Sequence, residues 1–447
     1  MPRKEVAFRK ASKVPPGCNQ NVQELMSQSL PTGQTAGVLR QRAMFLLGGV
    51  LTGVASYLFA VLADWAQIGF GWFNGHSSVA ALIWTPAGFA ISAFLAQRFL
   101  PGSSGSGIPQ CIAALGAKDG GLRDSALSAR MAVGKIALTA FGLLCGASIG
   151  REGPTVQIGA SVMLQMGKLF HREQKGLILA GAAAGIAAAF NAPLAGIVFA
   201  IEELSRSYES KTSGLILTAT ILAGLTATQL GGNYSYFGYV SGGISSPLEW
   251  VGLIIVALAG GLLGGLFGRS VVAISANRRF RMLAGGSRIG FATACGVVVS
   301  VCGWLSGGAT YGTGYAAAYA SLHEQSSEAW AFVPLKMMAT AVSSLSGIPG
   351  GLFSPSLSVG AGIGSAVSQL LWNANSPQLA LLGMAAYLTG VVQSPITAVV
   401  IMAEMTDNHR MVVPLLGCAL LADWVSKQIQ PTGIYHGLAA NFTAMKS

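Results

Sequence analysis

Charge is what this sequence has least of. Asp, Glu, Lys and Arg make up 10% of its 447 residues, where soluble domains carry roughly 25%. Together with a mean hydropathy of +0.57, that scarcity excludes a water-soluble globular chain. Cysteine is sparse as well, six in all, and no Cys-x-x-Cys pair occurs. Five of them (Cys111, Cys145, Cys295, Cys302 and Cys418) fall in apolar segments and are expected as small buried hydrophobes, with neither disulfides nor a metal site. No nucleophile–base pair or metal-ligand set is visible, so an enzyme is not expected. No apolar core precedes Ala43, which argues against a cleaved signal peptide.

The net charge of +11 is not a nucleic-acid footprint, because the basic residues sit in short stretches between apolar runs. The first 42 residues hold seven Lys/Arg and two acids, and Arg278, Arg279 and Arg281 form a second cluster. Stretches 66–77 and 231–249 have no Lys or Arg and are rich in Gly, Trp, Tyr and Phe. The positive-inside rule puts both termini and the 278–288 loop in the cytoplasm and the aromatic stretches outside. A short amphipathic helix is expected at 20–31.

What the chain does have is apolar length. Runs at 43–67, 78–99, 127–148, 212–231, 248–275 and 286–307 reach the ~20 residues that cross a bilayer as helix. Others, at 107–115, 154–170, 174–190, 193–204, 354–371, 378–392 and 395–405, are short or broken by Gly and Pro. They read as half-helices meeting inside the membrane, where irregular backbone is tolerated only when buried or lining a wet cavity. Sixty glycines, about twice the usual share, suit closely packed membrane helices. The expected class is an all-α polytopic membrane protein.

An internal repeat organises it. A shift of 201 lays Gly150-Arg151-Glu152-Gly153-Pro154 on Gly351-Leu352-Phe353-Ser354-Pro355, Gly159 on Gly360 and Lys135 on Lys336. A shift of 202 lays Gly181 on Gly383, Pro193 on Pro395 and Glu202 on Glu404; one of 207 lays Gly105-Ser106-Gly107 on Gly312-Thr313-Gly314. Residues 1–42 form an N-terminal segment, 43–440 a transmembrane domain with halves of about 43–232 and 248–440, and 441–447 a tail. Loop charge gives the halves opposite orientation, with the working site at their interface.

Three segments of small residues lead into helix starts: Gly105-Ser106-Gly107-Ile108-Pro109, Gly150–Pro154 and Gly351–Pro355. Free N–H groups and the positive end of the dipole make such starts anion sites. Glu152, ahead of Pro154, is expected to lay its carboxylate where an anion would bind. The Ser106 and Tyr435 hydroxyls are neutral donors, and neutral donors bind weakly enough for release.

GSGIP, GREGP, GLFSP and Phe190-Asn-Ala-Pro-Leu-Ala-Gly196 resemble the CLC chloride channels and proton-coupled chloride exchangers over about residues 40–440. The resemblance implies a fold of two inverted-topology repeats with many full and half helices, and a homodimer with one pore per subunit. It implies chloride and protons as substrates, membrane lipid as the setting, and no cofactor or nucleic acid. Ser106 and Tyr435 would hold the central anion with the amides of Gly107, Ile108, Leu352 and Phe353. The amides of Arg151 and Gly153 would form the outer site, Glu152 the gate and Glu203 the inner proton-transfer residue. Glu202 and Glu404, present in both halves, suit capping or pairing, whereas Glu203 matches Met405. Lys135 and Lys336 are expected to raise the local potential or pair with acids. Gln110, Cys111 and Ile112 replace the acids that related exchangers carry after GSGIP. His436, next to Tyr435, is expected to face solvent, with a local substitute for those acids as the alternative.

The reading is chloride–proton exchange gated by a protonatable glutamate, in a bacterial inner membrane. A passive chloride channel and a transporter of another anion remain as alternatives.

Overall fold

A computed structural model describes residues 32–117, 120–171, 175–204, 213–232, 235–277, 287–323, 329–371 and 376–444. The helix expected at 20–31 and the cluster Arg278, Arg279 and Arg281 lie outside the described residues. The chain divides into a unit through Ala43 and a unit Met44–Ser447; the site lies wholly in the second.

The first half of the sequence forms α1 (Thr32–His76), α2 (Ser78–Phe99), α3 (Ile108–Gly116), α4 (Gly120–Ala126), α5 (Ala129–Leu144), α6 (Glu152–Leu169), α7 (Lys175–Phe190), α8 (Pro193–Phe199) and α9 (Ser213–Gly231). A π-helical turn, Ala200–Leu204, continues α8. The second half forms α10 (Pro247–Ala276), α11 (Arg288–Leu305), α12 (Tyr315–His323), α13 (Ala329–Leu345), α14 (Phe353–Leu370), α15 (Pro377–Val392), α16 (Pro395–Thr406), α17 (Val412–Ile429) and α18 (Ile434–Ala444). The same order recurs in both: α1–α3 match α10–α12, α5 matches α13, and α6–α9 match α14–α17. Among the described residues seven helices are long and apolar enough to cross a membrane, and the only β pairing is two isolated bridges.

Six of the seven coincide with the long runs read from sequence. The seventh, His409–Ile429, was not anticipated, because Pro414, Asp423 and Lys427 interrupt its apolar run. Pro334 and Lys336 hid α13 in the same way.

Repeat mates touch one another. Gly150 and Gly351 exchange both backbone hydrogen bonds at 2.7 Å in an antiparallel bridge. Two equivalent residues can pair with each other in this way only about a local two-fold axis, so the halves run in opposite senses. A Cβ on either glycine would sit 3.2 Å from the δ-carbon of the other half's proline, Pro355 or Pro154. Small residues also let the helices of each half meet at backbone distance. A Cβ on Gly159 would lie 2.2 Å from the Gly181 carbonyl oxygen, and one on Gly360 lies 2.3 Å from that of Gly383.

The paired acids follow the same rule. Glu202 accepts from the amides of Ile396 (3.1 Å) and Thr397 (2.6 Å) and from the Thr397 hydroxyl (2.7 Å). Glu404 accepts from the amides of Leu194 (3.2 Å) and Ala195 (2.7 Å). Each carboxylate therefore caps the proline-initiated helix of the opposite half, satisfying amides that have no acceptor within their own helix.

Lys135 and Lys336 correct the expectation that they pair with acids. Both are fully buried. The Lys135 ammonium donates to the carbonyls of Ser103 and Gly105, both at 2.7 Å. That of Lys336 donates to Thr310 at 2.9 Å and Gly312 at 2.8 Å. Each holds a glycine-rich segment in place by its carbonyls, so its charge is spent on loop architecture.

Candidate functional site

Four helix starts converge near the Gly150–Gly351 bridge. Gly105 pairs with the segment before α14, its amide donating to Ile348 and its carbonyl accepting from Gly350, both at 3.1 Å. This brings the start of α3 beside that of α14. Gly107, with φ +105°, turns the chain into α3 in a conformation that side chains disfavour. Ser106 is 4% exposed, and a Cβ on Gly153 would lie 2.1 Å from its hydroxyl oxygen. Glycine at 153 is what lets Ser106 reach the start of α6.

Glu152 is fully buried. Its carboxylate does not sit before its own helix, as read from sequence, because Glu152 is itself the first residue of α6, with Arg151 as cap. It crosses to the other half and seats on the amino end of α14. There it accepts from the Ser354 hydroxyl, and from the Ser354 amide at 3.4 Å. The amides of Leu352 and Phe353, the cap and first residue of α14, donate to no backbone carbonyl among the described residues. A carboxyl oxygen thus occupies a helix start whose first amides have no backbone acceptor.

On the other side of Phe353 lies Tyr435, fully buried at the start of α18. Its ring stacks on Phe353 with centroids 6.1 Å apart and 18° between planes. The Tyr435 hydroxyl faces Ser106, yet neither hydroxyl is in hydrogen-bonding geometry with any protein atom. Two buried hydroxyls without a protein partner thus stand at the starts of α3 and α18. Phe190 and Phe199 pack on Phe353, their rings 5.7 and 6.0 Å away.

Two cavities approach this centre. One, of about 580 Å³, is lined by Asp64, Gln67, Arg151, Tyr236, Thr313 and Tyr315. In it Arg151 does not pair with Glu152: its guanidinium donates to Asp64 (2.7 Å) and to the Ala60 carbonyl (2.9 Å). It also lies 5.7 Å from the centre of the Tyr236 ring. The other cavity, of about 500 Å³, includes Gln97, Ser104, Ser106, Arg288, Leu352 and Asn441 in its lining. Asp64 and Gln67 lie about two to three turns before the end of α1 and Gln97 in the last turn of α2; the two cavities share no lining residue.

Glu203 stands apart from both, 3% exposed, in the π-helical turn after α8. The Ser394 hydroxyl donates to one of its oxygens at 2.7 Å. The ring of His436 lies 3.2 Å from the other. His436 thus neighbours Glu203, as a substitute for the missing acids would, while 26% of its side chain stays exposed: the residue after Tyr435 points a different way round α18. At the positions where acids were missing, Gln110 donates to the Ser104 carbonyl (2.7 Å) and the Cys111 thiol to that of Val156 (3.9 Å). The five cysteines named above are buried and unpaired.

Sequence reasoning missed Asp64, Tyr236, Ser354, Ser394 and His436 as neighbours of the site. Asp64 alone left a signal, as a single acid within a long apolar run.

An inverted repeat with interrupted helices, convergent helix starts and a buried acid at the crossing defines an ion-translocating membrane protein. The chain belongs to the family described as voltage gated chloride channel, whose profile matches residues 88–427. It is 30% identical over 448 residues to the H(+)/Cl(-) exchange transporter ClcA of Cronobacter sakazakii, covering 90% of this chain and 94% of that protein. The fold superposes on the crystal structure of a slow cyanobacterial Cl-/H+ antiporter with TM-score 0.78 and 25% identity, covering 91% and 98% of the two chains. A eukaryotic CLC transporter shares the fold at TM-score 0.75 and 24% identity, covering 91% of this chain and 74% of that one. The architecture is accordingly the CLC fold of an integral membrane protein.

Proposed function

We propose that the chain exchanges chloride for protons, with Glu152 as an anion-mimicking gate and Glu203 as the proton donor and acceptor behind it. The observation that carries this reading is the Glu152 carboxylate on the amino end of α14. Ionised, it competes with chloride for the α14 start; protonated, it loses the charge that the helix dipole attracts and releases the position. A bound anion in turn favours the protonated acid, so the two ligands are linked through one position. Ser106, Tyr435 and the amides of Leu352 and Phe353 hold the central chloride. The amides around Arg151 and Gly153, below the Arg151 cavity, hold the outer one. The exchange activity printed for the ClcA relatives and the cyanobacterial antiporter supports this assignment.

The partners proposed with it are membrane lipid and a second copy of the chain. Leu194 and Ile396 at the starts of α8 and α16, with Ile221, Leu225 and Leu420, expose apolar surface beside the capped helices, and this is the proposed dimer face. A bacterial inner membrane with both termini in the cytoplasm is the proposed setting.

The test uses purified protein in liposomes, with electrodes for chloride and pH. A chloride gradient moves protons in the wild type. Glu152→Ala passes chloride without protons, and Glu203→Gln stops proton movement. A wild type that passes chloride but moves no protons makes the chain a passive channel and overturns the proposal.

A further inference from the structure

Glu203 has almost no access to water of its own. Its side chain is 3% exposed, whereas that of His436, 3.2 Å away, is 26% exposed. The other carboxyl nearby, Glu202, is committed to the α16 cap. The position after GSGIP offers Gln110, whose amide is used by Ser104, and Ile112, which cannot carry a proton. The imidazole is the one titratable group among the described residues that both touches Glu203 and reaches solvent.

We propose that His436 relays protons between Glu203 and the adjoining solution. This rests on the exchanger reading above and names the group that loads its inner acid. A proton from water adds to Nε2, giving the imidazolium. Nδ1 stands 3.2 Å from a Glu203 oxygen that has no hydrogen-bond partner; the ring turns into line with it and the Nδ1 proton passes over, leaving a neutral acid and a neutral ring with its proton on Nε2. The exit direction runs these steps backwards; for a further inward cycle the ring swings toward solution, where Nδ1 takes a proton from water and Nε2 gives one up, which restores the starting tautomer. The Ser394 hydroxyl, on the second Glu203 oxygen at 2.7 Å, holds the carboxyl while its first oxygen trades the proton.

Apart from the adjacent Glu202, which caps α16, the surrounding titratable groups are engaged away from the pair. Tyr435, on the same helix, faces Ser106. Packed against α18 are α3, α10 and α15. Of their titratable groups, Cys111 points to Val156 and Arg269 to the Ile429 carbonyl. Glu249 is held in its capping box at the far end of α10, and Tyr387 is fully buried. Adjacent residues thus serve two routes, Tyr435 the anion and His436 the proton.

The experiment compares wild type, His436→Ala and His436→Asn in liposomes. Asn keeps an amide donor near the Nδ1 position but cannot pass a proton on. A relay predicts that both variants lose at least about tenfold of the proton movement per chloride, as expected on removing a positioned proton carrier. It also predicts that imidazole sealed on the His436 side restores movement to His436→Ala. Wild-type coupling in either variant overturns the relay; coupling kept in Asn but lost in Ala makes His436 a positioning residue and also overturns it. A wild type without coupled protons fails the exchanger reading itself, which separates the two failures.

Discussion

Removing Glu202 and Glu404 one at a time separates the architecture of the repeat from its chemistry. Glu202 receives three hydrogen bonds from α16 and Glu404 two from α8. A helix cap contributes about 0.5–2 kcal/mol and a hydrogen bond to a charged group about 1.5–3. Leu194 and Ile396 are 60% and 51% exposed, so water recovers part of what is lost. Glu202→Ala and Glu404→Ala should each cost about 2–4 kcal/mol. Unfolding entropy of about 2.1 cal/mol/K per residue amounts to about 0.9 kcal/mol/K over 447 residues. Each variant therefore loses only about 2–4 °C in a thermal melt of the detergent-solubilised protein. The functional costs differ, because the start of α16 also carries Ser394, which holds Glu203. The matching residue before α8 is Ala192, and the mate of Glu203 is Met405. Glu202→Ala should lower the ratio of protons to chloride in liposomes, and Glu404→Ala should leave it intact at similar stability. Equal uncoupling in both variants, or no change in either melt, would refute the reasoning.

Three further substitutions follow from close contacts. Gly153→Ala puts a methyl 2.1 Å from the Ser106 oxygen and 3.0 Å from its carbonyl. At about 1–3 kcal/mol for such overpacking, chloride binding measured by calorimetry should weaken about tenfold or more; unchanged binding would remove Ser106 from the anion site. Lys336→Met leaves the Thr310 and Gly312 carbonyls without their donor, at about 1–3 kcal/mol each. Lys135→Met should lower the melting temperature by a similar amount, and a stable variant of either would contradict the loop-fastening role.

The helix starts were legible because they are written in local chemistry. Pro193, Pro377 and Pro395 stand at the first position of α8, α15 and α16, where their missing N–H costs nothing. The repeat carried more still: Glu202 and Glu404 were marked as a pair before any contact was known. What stayed hidden were contacts across long separations. Asp64 meets Arg151 from 87 residues away, and no spacing in the sequence reports it. Ser354 meets Glu152 from 202, inside the segment that the repeat lays on Glu152's own motif, yet the repeat does not say that the mates touch. For His436, an adjacent tyrosine gives no clue to which face of α18 it occupies. The lysines were misread for another reason: buried cations were given acids as partners, while backbone carbonyls serve as well.

The crossed caps also set an order of events during synthesis. Once Pro395 and Thr397 emerge, α16 finds Glu202 already made. For α8 the reverse holds: its amides wait for Glu404, some 210 residues downstream. At about 5–20 residues per second, the first half spends roughly 10–40 s with that helix start open. Gly150, too, has no Gly351 to pair with in that interval. A half-made chain is therefore an unfinished protein, and because hydrocarbon cannot satisfy open amides it needs interfacial water or a helper protein at those groups until its second half arrives.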